Sequence, residues 1–241
     1  MAQKTVAFFG ASGGVGLGAL KKCLAGGHQC IALCRSPAKL TAIFDPSATP
    51  NLQVIQGNAH DVAAVSRCLR APDGSIVDDI VFTIGGAFVV SKMTLDDPHV
   101  CEKGIAAVLE ALSRLRGQGA PGRPRIVVCS TTGMSRFGRD IPLAMVPLYH
   151  VGLKVPHADK LAMEDKLSSS SEDFTIVRAS LLVDGETNKR VRVGVEDPAK
   201  GVESLEIGYK ISREDAGRWI AQKLVMERNP KYLNKTVSIT W

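Results

Sequence analysis

Short apolar runs alternate with stretches of helical spacing along most of the chain. Residues 4–9 form a β-favouring run that stops at the glycines Gly10, Gly13, Gly14 and Gly16. Residues 15–25 are helix-compatible, and Gly26-Gly27 ends that helix as a glycine past the C-cap does. Residues 28–34 predict a second strand; Pro37, capped by Ser36, opens a short helix to about residue 43. A third strand is expected at 52–56, followed by helical spacing at Val62, Val65 and Leu69. Residues 80–84 make a fourth strand, closed by Gly85-Gly86. Residues 99–115 are strongly amphipathic, with Val100, Ile105, Val108, Leu109 and Leu112 on one face. A Gly/Pro connector at 117–124 leads to a fifth strand at 125–129, and 134–155 is a mixed apolar loop. A helix at 158–167 and a sixth strand at 174–178 follow. Residues 185–209 are expected to be irregular, with a hairpin around 190–195. Ser212 caps a helix over 213–226, with Glu214 and Asp215 in its first turn, and 235–240 is a last strand.

Strand–helix alternation repeated this often means βαβ units with right-handed crossovers. The expected fold is α/β: a Rossmann-type doubly wound, mostly parallel sheet with helices on both faces. A small C-terminal substrate-side region completes it. A single domain over 1–241 is expected, with substrate-side segments at about 87–98, 134–157 and 180–210.

Composition narrows this picture without changing it. The chain has 241 residues, 45% hydrophobic and 22% charged, enough for a core that needs no metal or disulfide staple. The net charge of +6 is scattered, with no aromatic-interleaved basic block, so nucleic acid is not expected as a partner. A basic surface suits an anionic cofactor or substrate. The six cysteines form no Cys-x-x-Cys pair and predict buried, reduced thiols in a cytoplasmic protein. The run at 6–9 is too short for a signal peptide, and the run at 80–90 too short for a membrane span.

In a sheet of this kind ligands bind at the carboxyl ends of the strands. Those ends carry Gly10, Ala11, Ser12, Gly13, Gly14, Val15 and Gly16; Arg35 and Ser36; Asn58 and Ala59; Gly85 and Gly86; Ser130, Thr131 and Thr132; and Ala179, Ser180 and Leu181. The first group is a glycine-rich turn between strand and helix, which admits a pyrophosphate to backbone amides. The end of the second strand decides the cofactor. An acid there would accept the ribose hydroxyls of NAD. Arg35 stands there instead, with Lys39 one turn on, and a guanidinium pairs a 2′-phosphate; NADP is therefore expected.

The turn Gly10-Ala11-Ser12-Gly13-Gly14-Val15-Gly16 resembles that of atypical short-chain dehydrogenase/reductase-like proteins, most closely the NmrA-like and biliverdin/flavin-reductase type. Arg35, the segments 160–164 and 173–178, and Ile211-Ser212-Arg213-Glu214-Asp215-Ala216 agree, so the resemblance spans nearly the whole chain. It implies that Gly10, Ser12, Gly13, Val15 and Gly16 hold the pyrophosphate, and Arg35 and Lys39 the 2′-phosphate. Asn58 and Ala59 would lie at the adenine, and Ile84, Gly85 and Gly86 at the ribose. Ser130, Thr131 and Thr132 fall where the family has its active-site Ser/Thr, and Lys160 in the slot of the ribose-binding lysine. An Asp is usual where Asn58 stands. The chain departs from the pattern again four residues before Lys160, where the wider superfamily has Tyr and this chain has Pro156. His157 and Tyr149 are the nearby acid–base candidates, the latter if Lys160 or Lys154 lowers its pKa. The apolar residues of 141–155, with Phe88, Val89 and Met93, suggest a lid over an apolar substrate, a protein contact or core packing.

The expected activity is NADPH-dependent hydride transfer to a carbonyl, enone, quinone or flavin-like ring, by a monomer or homodimer. A nucleotide-binding redox sensor and a cofactor-retaining isomerase or cyclase are the alternatives.

Overall fold

The computed structural model describes residues 2–86, 88–89, 94–147, 149, 152–187 and 189–241, with backbone alone at 88, 89, 94 and 95. In chain order the elements are β1 (Thr5–Phe9), α1 (Gly14–Ala25), β2 (Gln29–Cys34), α2 (Ala38–Thr41), β3 (Leu52–Gln56), α3 (Val62–Leu69) and β4 (Asp79–Phe82). A short antiparallel pair, β5 (Phe88–Val89) and β6 (Thr94–Leu95), precedes α4 (Val100–Gly117) and β7 (Arg125–Thr131). Then come α5 (Lys154–Ser168), β8 (Asp173–Ala179), β9 (Leu181–Val183), β10 (Arg192–Asp197), β11 (Gly201–Ser204), β12 (Lys210–Ser212), α6 (Arg213–Trp219) and β13 (Lys235–Thr240).

Nine strands form one sheet in the order β11-β10-β13-β8-β7-β4-β1-β2-β3. From β3 to β13 every pairing is parallel; β10 and β11 extend the sheet antiparallel. This is the Rossmann-type α/β fold. Alternate residues of each strand serve opposite faces. Val6 and Phe8 pack with α1 and α6, while Ala7 and Phe9 pack with α3, α4 and α5. Burial on both faces explains why β1 is apolar throughout rather than alternating. The chain leaves β1 for β2 on one side and returns to β4 on the other, so the sheet's switch point lies between the carboxyl ends of β1 and β4.

Several boundaries differ from the sequence expectation. β4 stops at Phe82, leaving Thr83–Gly86 as an extended loop over the switch point. α5 starts at Lys154 rather than 158, so Pro156 and His157 lie in its first turn. A first turn leaves its amides unpaired, so proline, which has none to offer, fits there. Segment 185–209 is not irregular. It carries β10 and β11, whose turn lies at 198–200, where Asp197 accepts from the Ala199 and Lys200 amides at 2.9 Å. Its short strand runs are organised by pairing with distant β13, which local patterning does not reveal. Ser36 makes no side-chain cap for α2, although Ser212 caps α6 by accepting from the Asp215 amide at 3.0 Å. α6 continues into a π-helical stretch, Ile220–Met226.

All six cysteines are buried and free. Burial pushes the Cys23, Cys68 and Cys101 thiols up to about 12, so none of these three is a ready nucleophile. Among the described residues no helix is long and apolar enough to cross a membrane, and no His/Cys/Asp/Glu group could hold a metal.

Candidate active site

Two clefts meet over the glycine turn. The first, of about 450 Å³, runs from Ser12 and Gly13 past Arg35, Lys39, Asn58 and Ala59. The second, of about 440 Å³, is bounded by Gly14, Ser130, Tyr149, Pro156, His157 and Lys160. Gly13, Thr83, Ile84 and Gly85 line both, so the two are halves of one trough across the strand ends. Among the strand-end, cofactor and catalytic residues expected from the sequence, all but Ala11, Gly16 and Thr132 border one half or the other.

Gly16 faces inward. A Cβ there would lie 2.3 Å from Thr83 Oγ1 and 2.5 Å from Gly10 O. Close packing of α1 on the sheet accounts for a glycine at this position. Gly13 is the opposite case, because nothing lies within 4 Å of a Cβ built on it. The first helical bond runs from the Leu17 amide to Gly13 O at 3.1 Å, so the amides before it have no acceptor within the helix. Neither a capping side chain nor an acid occupies that first turn. The result is an open, electropositive backbone cradle.

At the first half's far wall, Arg35 and Lys39 are exposed, and neither makes an ion pair among the described residues. Asn58 uses its side-chain oxygen to accept from the His60 amide at 3.1 Å, closing the turn after β3. Two acids escaped the sequence reading: Asp96 and Asp97 border this cleft beside the start of α4. Asp97 already binds Lys103 at 3.2 Å. Thr83 was also missed. Its hydroxyl donates to Phe9 O at 3.1 Å and stitches β4 to β1 beneath the trough. No local motif marks any of these three; only the switch-point topology brings them in.

In the second half, Ser130 is 3% exposed and its Oγ has no hydrogen-bond partner among the described residues. A buried hydroxyl without a partner is costly unless a ligand completes it. Lys160, from α5, donates to Cys129 O at 3.0 Å, beside Ser130 at the end of β7. Thr131 bonds Ala179 O at 3.4 Å, and the Ser180 hydroxyl donates to Thr240 Oγ1 at 3.1 Å. Tyr149 and His157 are buried with ring centroids 5.6 Å apart and form the outer wall. Burial holds the Tyr149 phenol above its ordinary pKa; the nearby Asp140 charge adds to this and the Thr132 hydroxyl opposes it. The expected lowering by Lys160 or Lys154 is therefore corrected, since Lys160 is turned to a carbonyl and Lys154 is exposed.

The apolar segment over 141–155 divides. Ile141 and Tyr149 are core, Leu153 lines the cleft and Leu143 is exposed. Leu148, His150 and Val151 lie outside the described residues, as do Met93 and the side chains of Phe88 and Val89. A separate hollow of about 240 Å³ beside β10 is closed by Arg178, which pairs with Glu164 at 2.7 Å and Glu196 at 3.2 Å.

The open Gly13 position, the uncapped α1 terminus and the partnerless Ser130 hydroxyl together fit a nicotinamide dinucleotide laid across the trough. Comparison with known proteins agrees. A family model described as NAD(P)H-binding matches residues 10–227. The chain is 37% identical to "Reductase pytE" of Aspergillus terreus, over 99% of this chain and 98% of that one. It is 29% identical to "Oxidase pynE" of Aspergillus niger, over 100% and 99% respectively. A wide-type short-chain dehydrogenase/reductase from Veillonella parvula, solved with NADP, superposes with a TM-score of 0.74 at 13% identity, over 100% of this chain and 95% of that one. The chain thus belongs to the NAD(P)H-binding family and is an oxidoreductase acting on a small molecule.

Proposed function

We propose that the protein is an NADPH-dependent reductase of apolar or conjugated small molecules: carbonyls, enones, quinones or flavin-like rings. The observation that carries this reading is the trough itself, with two unpaired cations at one end and a buried, partnerless hydroxyl at the other. Arg35 and Lys39 support a 2′-phosphate at the adenosine end. The relative named a reductase supports the direction of transfer.

When bound, the nicotinamide supplies the hydride. The protein's residues position the acceptor and receive the charge that develops on it. Tyr149, His157, Leu153, Pro156 and Leu182 give the second half a largely apolar wall that suits a flat or apolar substrate. Ser130 donates its free hydroxyl to the acceptor oxygen or nitrogen, and the Lys160 ammonium lies next to it, held by Cys129 O. Tyr149, its phenol proton held more tightly by burial, serves as wall rather than acid.

Turnover is tested by following NADPH absorbance with a panel of quinones, flavins and enones. Oxidation of NADPH matched by reduction of at least one compound is expected. Tight nucleotide binding with no oxidation by any of them would instead favour a sensor. With an active substrate in hand, Ser130→Ala is expected to lower kcat by about a hundredfold to a thousandfold, the scale of losing one donor to a developing anion. Tyr149→Phe, which removes the phenol and keeps the ring, should stay within about threefold of wild type. A larger loss in Tyr149→Phe than in Ser130→Ala would reverse the two roles.

A further inference from the structure

Arg213 stands over the phosphate turn, and helix packing puts it there. α6 lies against α1 with no room for side chains between them. A Cβ on Gly217 would sit 2.3 Å from Val15 O, and one on Gly18 would sit 3.2 Å from Glu214 O. That contact carries the first residue of α6 to the glycine turn. Arg213 Cδ lies 3.4 Å from where a Cβ of Gly14 would stand, and the side chain lines the second half of the trough with Leu181 and Leu182.

The guanidinium is only loosely committed. Its one hydrogen bond among the described residues runs from Nη1 to Asp184 Oδ1 at 2.8 Å, and the Asp184 side chain is 83% exposed. An ion pair so open to water is weak and easily exchanged. The next arginine on the helix contrasts with it: Arg218 is divided among Glu186, Asp215 and Thr187 O and has nothing to spare. The strap after β9 does not depend on the Arg213 pair. The Gly185 amide also bonds Glu214 at 3.1 Å, and Thr187 Oγ1 bonds Asp215 at 2.6 Å.

Resting on the dinucleotide reading of the trough, we infer that Arg213 is a pyrophosphate-binding residue and that Asp184 is its counter-ion in the nucleotide-free protein. On binding, the guanidinium leaves Asp184 for the phosphates seated at the turn, where charge-assisted bonds are stronger and more sheltered. Arg213 and Arg35 then do different work. The pyrophosphate is common to NADPH and NADH, so Arg213 serves both nucleotides, whereas Arg35 serves the 2′-phosphate alone.

Titration of the full chain with NADPH and NADH, followed by calorimetry, tests this. Arg213→Ala is expected to weaken both nucleotides alike, by about tenfold to a hundredfold, the scale of a hydrogen bond to a charged group. Asp184→Asn removes the same ion pair from the other side and should tighten both by about twofold to fivefold, the scale of an exposed pair. Arg213→Gln carries the test if the alanine variant does not fold. Wild-type affinity in the Arg213 variant, a loss confined to NADPH, or a loss in Asp184→Asn matching that in Arg213→Ala would each overturn the inference; the last would mean that the pair only supports the fold. Arg35→Ala in the same titration separates the two claims. A loss specific to NADPH there, with a silent Arg213 variant, leaves the trough reading standing and removes only this one. A wild-type protein that binds neither nucleotide removes both.

Discussion

Gly13→Val is expected to abolish nucleotide binding and spare the fold, whereas Gly16→Val, three residues away, should damage the fold itself. Gly13 has a φ of −176°, extended backbone that valine adopts readily, and its Cβ direction is empty. A Cβ there has nothing within 4 Å among the described residues, and the isopropyl group it carries is expected to project into the space the pyrophosphate needs. Valine is a poorer N-cap than glycine, at a cost of about 1 kcal/mol, which is a small shift of the melting curve. Binding should fall by at least about a hundredfold, because the phosphates lose the close backbone approach that the turn provides. At Gly16 the added atoms meet Thr83 Oγ1 and the Gly10 carbonyl inside ordinary contact distance. Backbone cannot step aside there without moving β1 away from α1, so a loss of about 3 kcal/mol or more is expected. Denaturant unfolding and nucleotide titration of both variants check the contrast. Gly13→Val that still binds nucleotide with wild-type affinity would falsify the pyrophosphate assignment.

Arg35→Ala should weaken NADPH by about tenfold to a hundredfold and NADH by less than about twofold, because only NADPH carries the 2′-phosphate. Among the described residues Arg35 and Lys39 have no ion-pair partner to give up, so the charge-assisted gain is available to the ligand. The double variant Arg35→Ala/Lys39→Ala is expected to bind NADH at least as well as NADPH. Raising the salt concentration should narrow the wild-type preference, since both cations are exposed. Equal losses for the two nucleotides would sink the 2′-phosphate reading and turn attention to Asp96 and Asp97, the acids that border the same cleft.

Much of this architecture was legible in the residue pattern. The strands β1, β2, β3, β7, β8 and β13 lie within two residues of their expected bounds, because each is a short apolar run flanked by turn residues. The short strands β9, β11 and β12 were not: β9 and β12 are three residues each and pair with one another across the chain, and β11 is a four-residue edge strand with one large apolar residue. The start of α5 was missed because Pro156 reads as a break when it is in fact a tolerated first-turn residue. Among site residues, those at strand ends were visible as small or cationic groups after apolar runs. Thr83, Asp96 and Asp97 were not, since nothing nearby in sequence distinguishes them from ordinary polar positions; Arg213 stood in a segment that marks the family, but nothing local ties it to the glycine turn.

By itself, then, the sequence determined the nucleotide cradle: a strand, a glycine turn and a helix start are local features, and local spacing is enough to specify them. It also set the cation at the end of β2. Only the tertiary structure decided what each residue of that cradle does. Packing against Thr83 makes Gly16 structural and leaves Gly13 open. Burial makes Tyr149 a weak acid and strands the Ser130 hydroxyl in the cleft. The crossing of α6 over α1 brings Arg213 to Gly14 across roughly two hundred residues of chain. Exposure, desolvation and close approach between distant segments are properties of the assembled sheet and its helices, and no spacing along the chain encodes them.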